Sequence, residues 1–384
     1  MRRKVIYVSF VHLSDKTARD WYLDALIEQG VPVEFWDVTS LIFGDDGCQS
    51  NASEVLRVPT SYEQIDALMR RTENHSACYI MLVTYEVRTV RLYRLMSKYD
   101  CRMFFFAWGV LPVGKTNKWR DRLSHPARSV VNLMRQLKPA VYRRLKLIKP
   151  FEIVFAAGEA VVASTRYATK VVPINLVDYD HYVRVKSAAG RLVEDRYAVF
   201  LDVYLPHQSD LAIVGLRPVN AHAYFASLNR FFALLEAMHG IRVVVAAHPK
   251  ASYAGETFAG RAIYQGVTPE LVQDAEFVIS HHSTSLSYVV LNAKPVMFVY
   301  TDEMLALYEP TVISYLRGLS AYLDASIHNV DKIARGEDAA IKPVNAERYG
   351  AFKYGFLSTH ESENTTTQKI FLHELQACLV SECA

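Results

Sequence analysis

Two short runs in the second half of the chain carry side chains suited to holding a phosphate: AAHPK at 246–250 and SHHSTS at 280–285. Each follows an apolar stretch of strand length, RVVV and FVI. At a strand end His248 offers a ring donor and Lys250 a fixed positive charge, both apt for an anionic oxygen. Beside His281 and His282, the hydroxyls of Ser283, Thr284 and Ser285 fall where a helix is expected to begin. The unpaired N–H groups of a helix start draw anions. Either run alone suits a plainer part, with the hydroxyls capping a helix and His248 satisfying a local carbonyl. The two together, expected after successive, neighbouring strands of one sheet, favour a bound phosphate.

Acids at strand ends form a second set. Asp15 follows KVIYVSFVHLS, Glu86 directly follows CYIMLVTY, and Glu159 follows FEIVFAAG. A carboxylate so placed can take a proton from a substrate hydroxyl, or it can simply sit in the first turn of a helix and favour the dipole. Asp202, Tyr204, Pro206 and His207 cluster after YAVFL. There Asp202 and His207 are read either as binding hydroxyls of a ligand or as an interdomain hinge. Asp178 and Asp180, the one pair spaced like a D-x-D metal motif, precede the proposed phosphate site and are read as structural, so no metal is invoked.

The elements that must position these residues follow from periodicity. Residues 4–10, 31–38, 78–85, 101–109, 151–158 and 170–177 are rich in Val, Ile, Phe and Tyr and predict strands, alternating with helical stretches such as 14–30, capped by Ser14 and stopped by Gly30. Strand and helix in regular alternation imply a parallel sheet covered on both faces. A polar stretch at 183–196 reads as a linker, after which the pattern restarts. Strands are predicted at 196–205, 242–249, 277–282 and 295–301, and helices at 220–240, at 268–275 with Pro269 in its first turn, and from Ser283 or Thr284 to about Ala293. The run QKIFLHELQACLV predicts a final amphipathic helix. The fold class expected is α/β, with two Rossmann-like doubly wound domains facing a cleft. Their expected limits are 1–185 with a basic helical insertion at 111–150, 186–355, and a C-terminal helix within 356–384. Ligands in such sheets bind beyond the carboxyl ends of the strands.

His-Pro after one strand and a Ser/Thr pair opening a helix after another, in the second of two Rossmann-like domains, resembles bacterial sialyltransferases and polysialyltransferases. It is also similar to the capsule and teichoic-acid polymer transferases of GT-B architecture. The resemblance covers mainly residues 170–300, where AVFLDVYLPHQSD and NLVDYDHYV also look like pieces of surface-carbohydrate biosynthesis proteins. It implies an inverting glycosyltransferase that takes a nucleotide-activated sugar, commonly CMP-linked, as substrate, and no cofactor is expected beside it. By the same resemblance His248 and Pro249, with Ser283, Thr284 and Ser285, bind the donor's phosphates. The family's acidic, Gly-containing motif, which supplies the base in the first domain, has no copy here. Asp15 and Glu86 are the candidates for that role.

At 384 residues, 51% apolar and 22% charged, the chain suits two folded domains. Its five cysteines are odd in number, dispersed and without zinc spacing, which suits reduced thiols. The basic start lacks a long apolar run and a cleavage site, so no signal peptide is expected. Net charge is only +3, yet residues 111–150 hold eleven Lys/Arg against Asp121. Aliphatic residues interleave these cations while aromatic residues are scarce. An anionic membrane surface is therefore the expected partner, and nucleic acid is not. The expected setting is the cytoplasm, peripheral on the inner face of the plasma membrane, with a glycan or lipid-linked acceptor. Two other functions stay open: a nucleotide-sugar epimerase of the same architecture, and a non-catalytic membrane-associated scaffold of polysaccharide assembly.

Overall fold

The computed structural model describes residues 3–44, 50–71, 74, 76–108, 139–188, 190–208, 216–253, 256–309, 311–333 and 339–380. Most of the expected basic insertion, residues 111–138, lies outside them. The described residues form two compact units, one of 3–108, 139–177 and 359–380, the other of 178–358.

The first unit is built on strands β1 (Val5–Ser9), β2 (Val33–Asp37), β3 (Leu56–Arg57), β4 (Cys78–Leu82), β5 (Arg102–Ala107), β6 (Phe151–Ala157) and β7 (Ala168–Ile174). All pairings are parallel, in the order β3-β2-β1-β4-β5-β6-β7. Val5, Ile6, Tyr7 and Val8 are each wholly buried. With helices on both faces there is no solvent side to alternate toward, which is why β1 reads as an unbroken apolar run. Each such side chain contributes about 1.5–3 kcal/mol through burial. The chain winds outward from β1 to β3, then returns to lay β4 on the other side of β1. The sheet's switch point therefore lies between β1 and β4.

The second unit repeats the design with β8 (Tyr197–Leu201), β9 (Arg242–Ala247), β10 (Ile263–Gln265), β11 (Phe277–Ser280), β12 (Val296–Tyr300) and β13 (Ser326–Asn329), in the order β10-β9-β8-β11-β12-β13. Here the switch point lies between β8 and β11. Helix Ala221–His239 runs from Asn220, whose side chain accepts from Ala223 N–H, to Gly240 in the left-handed region at φ 60°. Only a residue without a Cβ adopts that conformation cheaply, so the helix stops there.

The final helix, Thr367–Val380, belongs to the first unit. Phe371 is fully buried against Tyr22, Phe106 and Phe155. The buried Asn175 anchors the approach to this helix, donating to the carbonyls of Ser362 and Thr365 while its own N–H donates to Thr367 Oγ1.

Three sequence expectations are corrected. The single helix at 14–30 is two, Asp15–Asp20 and Leu23–Glu28, because Tyr22 takes φ 60° and the Tyr7 hydroxyl claims the Trp21 carbonyl at 2.8 Å. The linker at 183–196 begins inside helix Val177–Ser187. The helix after the hydroxyl run spans only Leu286–Leu291. Among the described residues no helix is long and apolar enough to cross a membrane.

Candidate functional site

In the second unit everything is organised around Asp202, the first residue beyond β8. It is buried, and its carboxylate accepts three hydrogen bonds: Tyr204 N–H at 2.9 Å, His248 N–H at 3.1 Å and the Tyr253 hydroxyl at 2.5 Å. Burial and the Asp202 charge push the Tyr253 phenol far up, so it stays a donor. Asp202 therefore ties the loop after β8 to the loop after β9, which neither sequence expectation for it foresaw. Its partners are backbone and phenolic donors of this unit, whereas His207 is exposed and packs its ring 5.1 Å from Tyr204. Tyr204 itself sits at φ 54°, a strained conformation for a residue with a side chain. Its ring lies parallel to that of His248, 6.4 Å away.

The turn after β9 fixes the His248 tautomer. Lys250 N–H donates to His248 Nδ1 at 3.1 Å, so the ring proton of the neutral imidazole is on Nε2. Gln265 holds the turn from below, its amide donating to the carbonyls of His248, Pro249 and Ala251. Pro249 and Lys250 are exposed, and among the described residues the Lys250 ammonium has no carboxylate partner.

Across β8, the loop after β11 is anchored by His281. Its Nδ1–H donates to the Val299 carbonyl at 2.6 Å and its Nε2 accepts from the Tyr224 hydroxyl at 2.9 Å. Complete burial drives its pKa down to about 4. His281 is thus a neutral pin joining β11 to β12 and to helix Ala221–His239, with both ring nitrogens committed. The four residues that follow are arranged differently. Among the described residues the backbone N–H groups of His282, Ser283 and Thr284 have no hydrogen-bond partner, nor do the hydroxyls of Thr284 and Ser285. His282 Nδ1 is buried without a partner, and burial lowers the pKa of its ring. Ser285 N–H is taken by Ser283 Oγ at 3.2 Å, and helix Leu286–Leu291 opens with short three-residue bonds. Ser287 instead donates to Asp178, which also accepts from Tyr288. Both bonds tie Asp178 to helix Leu286–Leu291.

The two runs singled out in the sequence do not follow neighbouring strands: β8 stands between β9 and β11. At strand spacing this places their ends roughly 10 Å apart. A nucleotide phosphate reached by side chains from both ends spans such a gap.

In the first unit the candidate acids flank the switch point, since Asp15 comes after β1 and Glu86 after β4. Asp15 is exposed in the first turn of its helix, Ser14 capping that turn and Asn51 donating to its carboxylate at 3.2 Å. Glu86 forms an open pair with Arg88 at 3.5 Å, and Glu159 meets His360 at 2.6 Å. A different pair was missed. His12, in the loop after β1, places Nδ1 2.7 Å from Asp37 Oδ2 at the end of the adjacent β2. Asp37 also accepts from Thr39 and Ser50. Burial pulls the Asp37 carboxyl upward, but the hydrogen bonds from Ser50, Thr39 and His12 outweigh it and hold the group below its usual range. A carboxylate against Nδ1 orients the imidazole, an arrangement known from general bases. The signal was present, a His and an Asp each just beyond a strand, but their pairing depends on β1 and β2 being neighbours. Among the described residues no group of three or more His, Cys, Asp or Glu is placed to hold a metal.

No protein-family model matches the sequence, and no curated protein matches it. Solved structures do. The calicheamicin glycosyltransferase CalG4 aligns over 99% of this chain and 100% of its own at TM-score 0.51 and 9% identity. A variant of the wall teichoic acid polymerase TagF aligns over 98% and 88% at 0.51 and 11% identity. A putative UDP-N-acetylglucosamine 2-epimerase from Listeria monocytogenes aligns over 100% and 98% at 0.49 and 9% identity. With its two all-parallel α/β units, the chain has the GT-B fold.

Proposed function

We propose that the chain is a glycosyltransferase that takes a nucleotide-activated sugar, holds its phosphates at the switch point of the second unit, and passes the sugar to a glycan or lipid-linked acceptor with inversion. The observation that carries this is the loop after β11: three successive N–H groups and two hydroxyls without partners, beside a buried and unsatisfied His282 Nδ1. A buried polar atom such as His282 Nδ1 is nearly always satisfied, and the half-buried and exposed N–H and hydroxyl groups beside it are open to an anion. Across β8, His248 Nε2–H and the Lys250 ammonium would meet the same group and offset the charge that develops on the leaving phosphate, without need of a metal.

For the base we favour His12 over Asp15 and Glu86, because the buried Asp37 orients its ring, whereas among the described residues those carboxylates meet only the side chains of Asn51 and Arg88. The His12 imidazole would take the acceptor hydroxyl's proton as its oxygen attacks the anomeric carbon. The donor nucleotide is proposed to be CMP, on the resemblance of the His-Pro and Ser/Thr runs. The test mixes isotopically labelled CMP-sugar with the protein and with bacterial membranes. Release of CMP that requires acceptor supports the proposal. Epimer formation without acceptor would assign the epimerase, and neither product from any nucleotide-sugar would leave the scaffold.

A further inference from the structure

The first unit carries a cationic face that the transfer reaction does not use. A cavity of about 880 Å³ is lined by Arg94, Arg143, Arg144 and Lys146 together with Lys98 and Lys149, and among the described residues its one acid is Asp100. Lys149 pairs with Asp100 at 2.6 Å and Lys98 with Asp66 at 3.3 Å. Among the described residues Arg94, Arg143, Arg144 and Lys146 have no carboxylate partner. Arg143 is held in place, its guanidinium 4.2 Å from the Tyr85 ring and 4.5 Å from that of Tyr167, with Nε buried and lacking an acceptor.

Apolar surface adjoins these charges. Residues 139–144 are helical, and the chain then turns through Lys146 at φ 55°. This leaves Val141 at 46%, Leu145 at 63% and Leu147 at 45% exposure, three of the most exposed large aliphatics described. Along helix Val90–Lys98 the face continues through Arg91, which stacks on Tyr62 at 4.1 Å. A soluble polyanion would use the cations and leave the aliphatics in water, whereas a bilayer with anionic headgroups accommodates both.

We propose that this face docks on a bilayer containing anionic phospholipid, with Arg94, Arg143, Arg144 and Lys146 meeting lipid phosphates and Val141, Leu145 and Leu147 entering the headgroup boundary. The docking uses none of the residues proposed to hold the donor, so a variant unable to bind nucleotide is expected to retain it. The experiment is co-sedimentation of the full chain with vesicles of phosphatidylcholine alone and of phosphatidylcholine mixed with phosphatidylglycerol. Binding is expected only to the mixed vesicles. Removing each cation is expected to weaken it ~5-fold, or ~25-fold for Arg144→Gln with Lys146→Gln. Leu145→Ser with Leu147→Ser, both at exposed positions that the fold does not need, is expected to weaken it ~10-fold. Equal binding to both vesicle types would overturn the proposal. So would an unchanged affinity in the Leu145/Leu147 variant, or tighter binding of soluble polyphosphate than of vesicles, which would assign the face to a soluble polyanion.

Discussion

The loop that would hold the donor phosphates owes its shape to one imidazole, and that imidazole ties the second unit's stability to pH. His281 titrates at about 4 in the folded chain against an ordinary 6.5. Below pH 6.5 the unfolded chain binds a proton that the folded chain refuses, so stability falls as the pH drops and the loss is complete near pH 4. The full shift corresponds to ~3 kcal/mol, of which ~2 kcal/mol is lost between pH 7.5 and pH 5. The perturbation is His281→Asn with Tyr224→Phe. The Asn amide keeps the bond to the Val299 carbonyl, and the second change removes the hydroxyl that would otherwise be orphaned.

All four tryptophans, Trp21, Trp36, Trp108 and Trp119, lie outside residues 178–358, so tryptophan fluorescence offers no probe within the second unit's own sequence. Amide hydrogen exchange of peptides spanning β11 and β12 does. The variant is expected to be less protected than the native chain at pH 7.5, with the gap closing by ~2 kcal/mol at pH 5 because only the native chain carries the titrating group. The other carboxylates and histidines cancel in the comparison. Parallel pH profiles for the two proteins would refute the account of His281 as a buried neutral pin.

Replacing His12 by Ala, or Asp37 by Asn, is expected to lower turnover ~10²- to 10⁴-fold while nucleotide affinity stays unchanged in calorimetry. Glu86→Gln and Asp15→Asn are expected to cost less than about tenfold, and the reverse ranking would move the base to a carboxylate. Asp202→Asn presents an amide donor to a site that receives three donors. It is expected to destabilise the second unit by ~1–3 kcal/mol and to weaken nucleotide binding through the His248 turn, as checked by denaturation and titration of the same sample. Burial raises the thiols of Cys78 and Cys101 to about 12, so both should resist alkylation at pH 8 until the chain unfolds, as read by mass spectrometry of the labelled peptides.

The parallel sheets were legible because their central strands are buried on both faces and announce themselves as apolar runs. The strands that escaped notice, β3, β10 and β13, are two to four residues long and lie at sheet edges. There one side needs no neighbour and polar residues such as His328 are tolerated. The break at Tyr22 was hidden because the Trp21 carbonyl is claimed by Tyr7, a residue from a different element. Within the site, His248 and the hydroxyl run stood out by type and spacing. The roles of Asp202 and His281 did not, since their partners are backbone groups and phenols brought close only by the fold. His12 and Asp37 were invisible as a pair for a related reason: 25 residues separate them, and only the β1–β2 pairing joins them.

The decisive measurement is calorimetric titration of the full chain with CMP, CDP, UDP and GDP, repeated with His248→Ala and with Thr284→Ala combined with Ser285→Ala. The account predicts that one nucleotide binds in preference to the rest. It further predicts that each variant loses about tenfold or more in affinity, the worth of hydrogen bonds to a charged phosphate. If no nucleotide binds, or if binding survives both variants intact, the phosphates are not held at the switch point between β8 and β11.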